Sequence, residues 1–269
     1  ISTVLPSLGE SGVPTQTFKN YLVQLLPEFS LLDEQQQESG FLLGEKDPIQ
    51  VMKSGLTLVD QIDRYIQGIT NYGPLFRDMK INGRTILSKE SIRQWYKETN
   101  EQLPLHHRLS LLQTKLLKKL GGLQKDETRQ QWVKDLAEEQ LQELYATDPN
   151  LEYTEQKERS LRKKLANQIV RKRFRRIHRG IMNYQFVNIT KQYLHFLQTV
   201  PLSLLTRHKI SETRWQEHLT TVRTHLRQRE LRQEDAVLFF LLMRRTYPVT
   251  VTHKARYIFI DEMQDFAPS

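Results

Sequence analysis

Apolar residues recur at steps of three and four over residues 154–181, and this periodicity limits the possible folds more than any other feature of the sequence. Leu161, Leu165, Ile169, Phe174 and Ile177 fall on one stripe of an α-helix with 3.6 residues per turn. Glycine (11 residues) and proline (10) are scarce in a chain of 269 residues, so few positions interrupt such patterns. The sequence therefore predicts a mainly α-helical fold.

The same reading along the chain predicts a series of helices and two β features. The predicted helices cover residues 17–26, 47–69, a segment after Ser88, 104–120 (stopped by Gly121-Gly122), 128–145, 154–181, 189–198, 212–229 and 234–245. Asn82-Gly83 between two partly apolar arms predicts a β-hairpin over residues 75–87. The continuous apolar run 257–260 predicts a buried strand. The aromatic residues expected in the core are Trp95, Trp132, Tyr153, Phe174, Tyr184, Phe186 and Trp215.

Composition excludes several classes of site. The chain has no cysteine, which rules out disulfides, thiolate metal sites and cysteine nucleophiles, and its eight histidines show no zinc-enzyme spacing. Its longest apolar run, residues 236–243, is far shorter than the ~20 residues that cross a bilayer. We therefore expect a soluble, cytoplasmic protein with no membrane partner. The start at Ile1 and the end just after a charged motif suggest a piece of a longer protein.

The long helix is also strongly basic. Residues 155–179 contain eleven Lys or Arg against two Glu, an excess of +9 that equals the net charge of the whole chain. Such a stripe can bind phosphates and release counterions, although a solvated helix face would look the same. The sequence leaves open whether the partner is DNA, RNA or an acidic protein surface. The densest candidates for nucleic-acid contact are Arg171, Lys172, Arg173, Arg175, Arg176 and Arg179.

Two adjacent carboxylates, Asp261 and Glu262, follow the predicted strand 257–260. Ligands of parallel sheets bind beyond the carboxyl ends of the strands, and alternation points these two side chains in different directions. One can hold Mg²⁺ while the other polarises an attacking water, and Gln264 could orient that water or sense a γ-phosphate. This pattern is typical of a nucleotide hydrolase.

The segment IFIDEMQDF resembles the Walker B motif of superfamily 1 helicases of the UvrD/Rep type, a hydrophobic strand followed by Asp-Glu-x-Gln-Asp. This resemblance implies an ATP site in which Asp261 binds Mg²⁺ and Glu262 and Gln264 are catalytic. Asp265 joins these three residues as a nucleotide contact. Residues 15–22 resemble the Thr-Phe-His segment of the same family, which implies that Thr17, Phe18 and Lys19 contact single-stranded DNA; Lys19 stands where the family commonly has His.

The HelD branch of these helicases, whose members bind RNA polymerase, is similar over more of the chain. The matching segments are ISTVLPSLGESGVPTQTF, PLFRDMKINGRTILSKESI and LRQEDAVLFFLLMRR. The resemblance implies a helical insertion flanked by pieces of a RecA-like α/β motor domain, with one β-hairpin and a terminal Walker B strand. The implied divisions are 1–70 for the first motor piece, 71–228 for the insertion and 229–269 for the return to the motor.

The resemblance implies an ATP-dependent DNA helicase or translocase that uses ATP and Mg²⁺ and remodels or recycles RNA polymerase. The family's phosphate loop, Gly-x-x-x-x-Gly-Lys, is not present in these 269 residues. We therefore expect no ATP or Mg²⁺ to bind this piece alone, and no ATP hydrolysis or DNA unwinding by it. The alternative is a non-enzymatic helical module that binds nucleic acid or RNA polymerase.

Overall fold

A computed structural model describes residues 17–32, 47–147 and 154–249. The structure is 72% helical and 6% strand, which confirms the mainly α class. Its helices are α1 (Phe18–Leu25), α2 (Pro48–Ser54), α3 (Leu56–Thr70), α4 (Lys89–Lys97), α5 (Leu105–Glu127), α6 (Gln131–Thr147), α7 (Glu155–Met182), α8 (Ile189–Gln198), α9 (Leu202–Arg207), α10 (Glu212–Gln228) and α11 (Gln233–Thr246). Its strands are β1 (Ser30–Leu31), β2 (Met79–Ile81), β3 (Arg84–Leu87) and β4 (Glu230–Leu231).

The chain forms two compact units. One is the continuous segment Asn71–Asn188, and the other combines Ile1–Thr70 with Ile189–Ser269. The chain enters the continuous unit after residue 70 and returns to the discontinuous unit at residue 189, because α10 packs against α8 and β4, and α8 packs against α11. The division into motor pieces 1–70 and 229–269 and an insertion 71–228 stays a prediction.

The discontinuous unit is built around α11. More than half of the residues of this helix are buried, among them Ala236, Leu238, Phe239 and Leu242, whereas Arg244 and Arg245 near its end are exposed. Helices α1, α2, α3 and α8 pack against it. Strands β1 and β4, which are two residues long and about two hundred residues apart in sequence, pair in parallel. The predicted Walker B strand, 257–260, and Tyr153 lie outside the described residues.

The predicted helix 47–69 is in fact two helices. Asp47 caps α2, because its Oδ1 accepts a hydrogen bond from the Ile49 N–H at 2.9 Å, and Pro48 occupies the first turn. Gly55 then adopts an extended conformation (φ −79°, ψ 151°), which ends α2 before α3 begins. The apolar spacing continues across this break, so periodicity alone did not reveal it.

The continuous unit begins with the predicted β-hairpin, which is confirmed. Strands β2 and β3 pair antiparallel, and Asn82 and Gly83 both have positive φ (47° and 82°), as a tight hairpin turn requires. The two ends of the unit lie side by side, since the Asn188 N–H donates to the Leu75 carbonyl at 2.6 Å. A unit whose ends meet can be inserted into another unit without separating the flanking segments.

Helix α5 is longer than predicted. It passes through Gly121 and Gly122 and ends at Glu127, because both glycines keep the helical conformation instead of the positive φ of a glycine that terminates a helix. Helix α6 accordingly begins at Gln131, three residues after the predicted start. Helices α5 and α6 both pack against α7.

Most of the aromatic predictions are confirmed. Phe174, Tyr184, Phe186 and Trp215 are buried, and Trp95 is half-buried. The prediction for Trp132 is wrong: its side chain is 36% exposed and lies at the surface of the continuous unit. The Arg173 guanidinium on α7 lies over its ring, so Trp132 contacts a charged side chain at the surface instead of the apolar core.

Candidate nucleic-acid interface

Helix α7 is the longest helix among the described residues, with 28 residues. Its apolar side chains, among them Leu165, Ile169, Phe174 and Ile177, are buried in the continuous unit. All six cations predicted to contact nucleic acid, Arg171, Lys172, Arg173, Arg175, Arg176 and Arg179, are exposed. The packing of α7 therefore leaves its charged side on the surface.

Two of the arginines on α7 form contacts within the unit. Arg162 makes ion pairs with Glu138 on α6 and with Glu158 one turn earlier on α7. Arg173 approaches Glu127 at 3.6 Å, and its guanidinium carbon lies 4.8 Å from the centre of the Trp132 ring. These contacts connect α7 to its neighbours. Arg173 therefore differs from the other five predicted cations, because it has an acidic and an aromatic partner within the unit.

The remaining five, Arg171, Lys172, Arg175, Arg176 and Arg179, form what we call the basic face. Within the described residues, none of the five has an ion pair. Arg171, Arg175 and Arg179 follow one another at a spacing of four residues, or ~6 Å along the helix, and Lys172 and Arg176 form a second such row. Like charges at this spacing destabilise a helix by ~0.2–0.5 kcal/mol per pair. The basic face therefore does not stabilise α7, and the stability of the fold does not explain why these charges are there.

An anionic partner would relieve that repulsion. Guanidinium groups donate two parallel hydrogen bonds to one phosphate, and four of the five residues of the basic face are arginines. A helix face with cations in two adjacent rows matches a repeating anion better than a single charged ligand. Nucleic acid, with one phosphate per nucleotide, is such an anion.

The other predicted DNA contacts lie at the start of α1, in the discontinuous unit. The Thr17 hydroxyl accepts a hydrogen bond from the Asn20 N–H at 3.2 Å and caps the helix. Phe18 is 39% exposed and Lys19 is half-buried. The structure thus brings Thr17, Phe18 and Lys19 together at one helix end, in a different unit from the basic face.

The predicted ATP site lies outside the described residues, since Asp261, Glu262, Gln264 and Asp265 all follow residue 249. Over residues 17–32, 47–147 and 154–249, no group of three His, Asp or Glu side chains could hold a metal ion. The assignments of Mg²⁺ to Asp261 and of catalysis to Glu262 and Gln264 remain predictions.

Sequence reasoning missed a buried charged cluster in the discontinuous unit. The Lys53 ammonium on α2 forms an ion pair with Asp235 on α11, and both side chains are almost completely buried. The Tyr193 hydroxyl donates to the same carboxylate oxygen of Asp235, and Lys53 Nζ lies 2.9 Å from His218 Nε2. The only signal for it in the sequence was a carboxylate just before the apolar run 236–243.

The environment of this cluster shifts its pKa values in a consistent way. Burial alone would raise the pKa of Asp235, but the Lys53 ammonium and the Tyr193 hydroxyl together lower it. Burial and the neighbouring Lys53 ammonium lower the pKa of His218 to about 3. Burial, with the Asp235 carboxylate close by, raises the pKa of Tyr193 well above its usual value. The arrangement therefore holds a charged Lys53–Asp235 pair beside a neutral His218.

No protein-family model matches the sequence, and no curated protein is significantly similar to it. In the part of the chain that the structure describes, no helix combines the length and apolar character needed to span a bilayer.

Proposed function

We propose that this chain belongs to an ATP-dependent DNA helicase or translocase of the UvrD/Rep type, and that α7 is a nucleic-acid-binding element of it. The basic face carries the nucleic-acid part of this proposal, because five cations with no ion pair among the described residues share one exposed helix side. Phosphate binding would offset the repulsion between them.

The chain topology supports the motor part of the proposal. A continuous helical unit, Asn71–Asn188, interrupts a second unit between the Thr-Phe segment and the Asp-Glu-x-Gln-Asp motif. The UvrD/Rep resemblance implies an inserted subdomain at this place. The parallel pairing of β1 with β4 is also the kind of pairing that an α/β motor domain uses.

Salt-dependent DNA titration tests the basic face. Replacing Arg171, Arg175 and Arg179 with Gln should reduce the slope of log affinity against log salt by about 2.7 on duplex DNA, at roughly 0.9 per lost phosphate contact. The matched control replaces three arginines that are ion-paired in the discontinuous unit, Arg214, Arg229 and Arg245. Both variants lose three positive charges, so only a contact-specific effect separates them. Equal salt slopes for the wild type and the α7 variant would show that these arginines do not contact phosphate.

A second experiment tests the enzyme class. In the intact parent protein, Glu262→Gln should abolish ATP hydrolysis while ATP still binds, because the amide no longer polarises the attacking water. Residues 1–269 alone should not hydrolyse ATP, since they contain no Gly-x-x-x-x-Gly-Lys sequence to hold the phosphates. Robust hydrolysis by this chain, abolished by Glu262→Gln, would contradict the proposal.

We also propose, from the HelD resemblance, that the intact helicase to which this chain belongs associates with RNA polymerase. If the helical unit docks on the polymerase through apolar and polar contacts, the two should co-elute at a salt concentration that releases DNA. If the polymerase is released at the same salt concentration as DNA, the association is only electrostatic and the proposed docking is wrong.

A further inference from the structure

A pocket of about 350 Å³ lies beside the basic face, at the junction of α5 and α6. It is lined by Arg84 on β3, Glu127 at the end of α5, Gln130, Trp132 on α6 and Arg173 on α7. Its volume lies at the lower end of the range for small-ligand sites, ~300–1,000 Å³. We propose that this pocket binds one unpaired nucleotide of a nucleic-acid strand whose neighbouring phosphates lie on the basic face.

The Trp132–Arg173 pair suits a nucleobase. Trp132 is 36% exposed, and the Arg173 side chain, whose guanidinium carbon lies 4.8 Å from the ring centre, is 37% exposed. Unpaired bases stack on tryptophan rings and on guanidinium planes, and one side chain of each kind lines this pocket. Paired bases are enclosed in a duplex and do not offer their faces in this way.

The polar lining matches the rest of a nucleotide. Two arginines against the single carboxylate of Glu127 leave the pocket positively charged, and Arg84 has no ion pair with any residue in the described ranges. Arg84 is therefore available for a phosphate. The Gln130 amide, which is exposed, both donates and accepts hydrogen bonds, as the edge of a base requires.

The position of the pocket connects it to the basic face. Arg173 is the neighbour of Lys172 in sequence and lies one turn before Arg176, so the pocket opens at the edge of the same helix. Side chains one turn apart on a helix are ~5–6 Å apart at Cβ. A strand that follows the basic face can therefore place its next base against Trp132. This inference rests on the proposed nucleic-acid function of α7.

The test compares the full chain on a blunt DNA duplex and on the same duplex with a short single-stranded tail. We expect the wild type to bind the tailed duplex about tenfold more tightly, the effect of one stacked base. Trp132→Leu should reduce the tailed affinity to the blunt value and leave the blunt affinity and its salt slope unchanged. Trp132→Phe should retain part of the preference.

Trp95 supplies a matched control, because it also lies under a cation in the same unit, with Lys119 Nζ 5.7 Å from its ring centre, but it does not line the pocket. Trp95→Leu should keep the tail preference. Arg84→Gln should lower the tailed affinity alone, which tests the pocket through a residue that is exposed on the hairpin and so dispensable for folding.

The outcomes separate this inference from the proposed function. A tail preference that survives Trp132→Leu and Arg84→Gln overturns the pocket assignment while leaving the basic face intact. An unchanged salt slope in the Arg171, Arg175 and Arg179 variant overturns the basic face itself. A nucleoside monophosphate that binds alone and is lost in Trp132→Leu, with no tail preference in the wild type, would identify a site for a free nucleotide instead of a strand.

Discussion

At the scale of single residues, the Lys53–Asp235 pair is the least expected feature of the molecule. Two charges buried together cost desolvation energy that their attraction only partly returns, so such a pair contributes little net stability compared with apolar residues. Tyr193 donates a further hydrogen bond to the Asp235 carboxylate, and His218 lies within hydrogen-bond distance of the Lys53 ammonium. Because four helices, α2, α8, α10 and α11, each contribute one member, the cluster specifies how these helices meet.

Removal of one member should be far more damaging than removal of both. Lys53→Met leaves Asp235 buried and without its counter-ion, and we expect a loss of about 3–5 kcal/mol in the free energy of unfolding. Lys53→Met combined with Asp235→Leu should recover most of that loss. Urea unfolding of the two variants measures the difference. A double variant as unstable as the single one would show that the cluster stabilises the unit beyond the avoided desolvation.

His218 predicts how stability depends on pH. Its pKa of about 3 in the folded protein lies below the ordinary 6.5, so the unfolded chain takes up a proton as the pH falls through this window. Stability from His218 is complete above pH 6.5 and is lost on acidification, by about 1.4 kcal/mol per pH unit between pH 6 and pH 4. Burial raises the pKa of Glu234, which acts in the opposite direction, so the wild-type slope must be compared with that of His218→Gln.

The slope difference between these two proteins isolates His218. Parallel stability curves for the wild type and His218→Gln over this pH range would show that the ring is protonated when buried.

At the scale of elements, helix α5 shows how a glycine pair can be misread. A glycine terminates a helix when a left-handed residue is needed, and Gly121-Gly122 had the correct spacing for that role. The apolar stripe of α5 continues as far as Leu120, and the packing of α5 on α7 extends the helix through both glycines. The helix then ends at Glu127, which also lines the pocket beside Trp132.

Alanine in place of Gly121 or Gly122 should stabilise helix α5. No atom lies within 4 Å of a Cβ added at Gly121 or Gly122, so each substitution to alanine should stabilise the protein by about 0.5–1 kcal/mol through the lost freedom of the unfolded chain. Gly73→Ala is the contrasting variant, because Gly73 has a φ of +80° and the added Cβ would lie 2.8 Å from the Tyr96 ring. Thermal unfolding of the three variants should show two increases and one clear decrease. A destabilised Gly121→Ala would indicate that the helix is broken there in solution.

At the scale of the whole molecule, the main feature is an insertion. The unit Asn71–Asn188 begins and ends at one place, where the Asn188 N–H meets the Leu75 carbonyl and Phe76 pairs with Val187. It contains its own core, formed by residues such as Tyr96, Leu109, Leu116, Phe174 and Phe186. Such a unit has what an independent domain needs.

Residues 71–188 should therefore fold alone. We expect a cooperative thermal transition with high helical content by circular dichroism, because the unit has its own buried core and its ends already meet. The isolated unit should also keep the salt-dependent DNA binding of the whole chain, since the basic face belongs to it. A non-cooperative melt would mean that the discontinuous unit completes its core.

The sequence alone determined the helical class, the hairpin at Asn82-Gly83 and the exposed charge of α7, because each follows from periodicity or from contacts within a few residues. Tertiary structure decided the break at Gly55, the passage of α5 through two glycines, and the return of the chain at residue 189. It also decided which cations stay unpaired, and it assembled Lys53, Asp235 and the Trp132 pocket from elements far apart in sequence. These features depend on which helices pack together, and that choice is made by the summed burial of many side chains, which no local pattern contains.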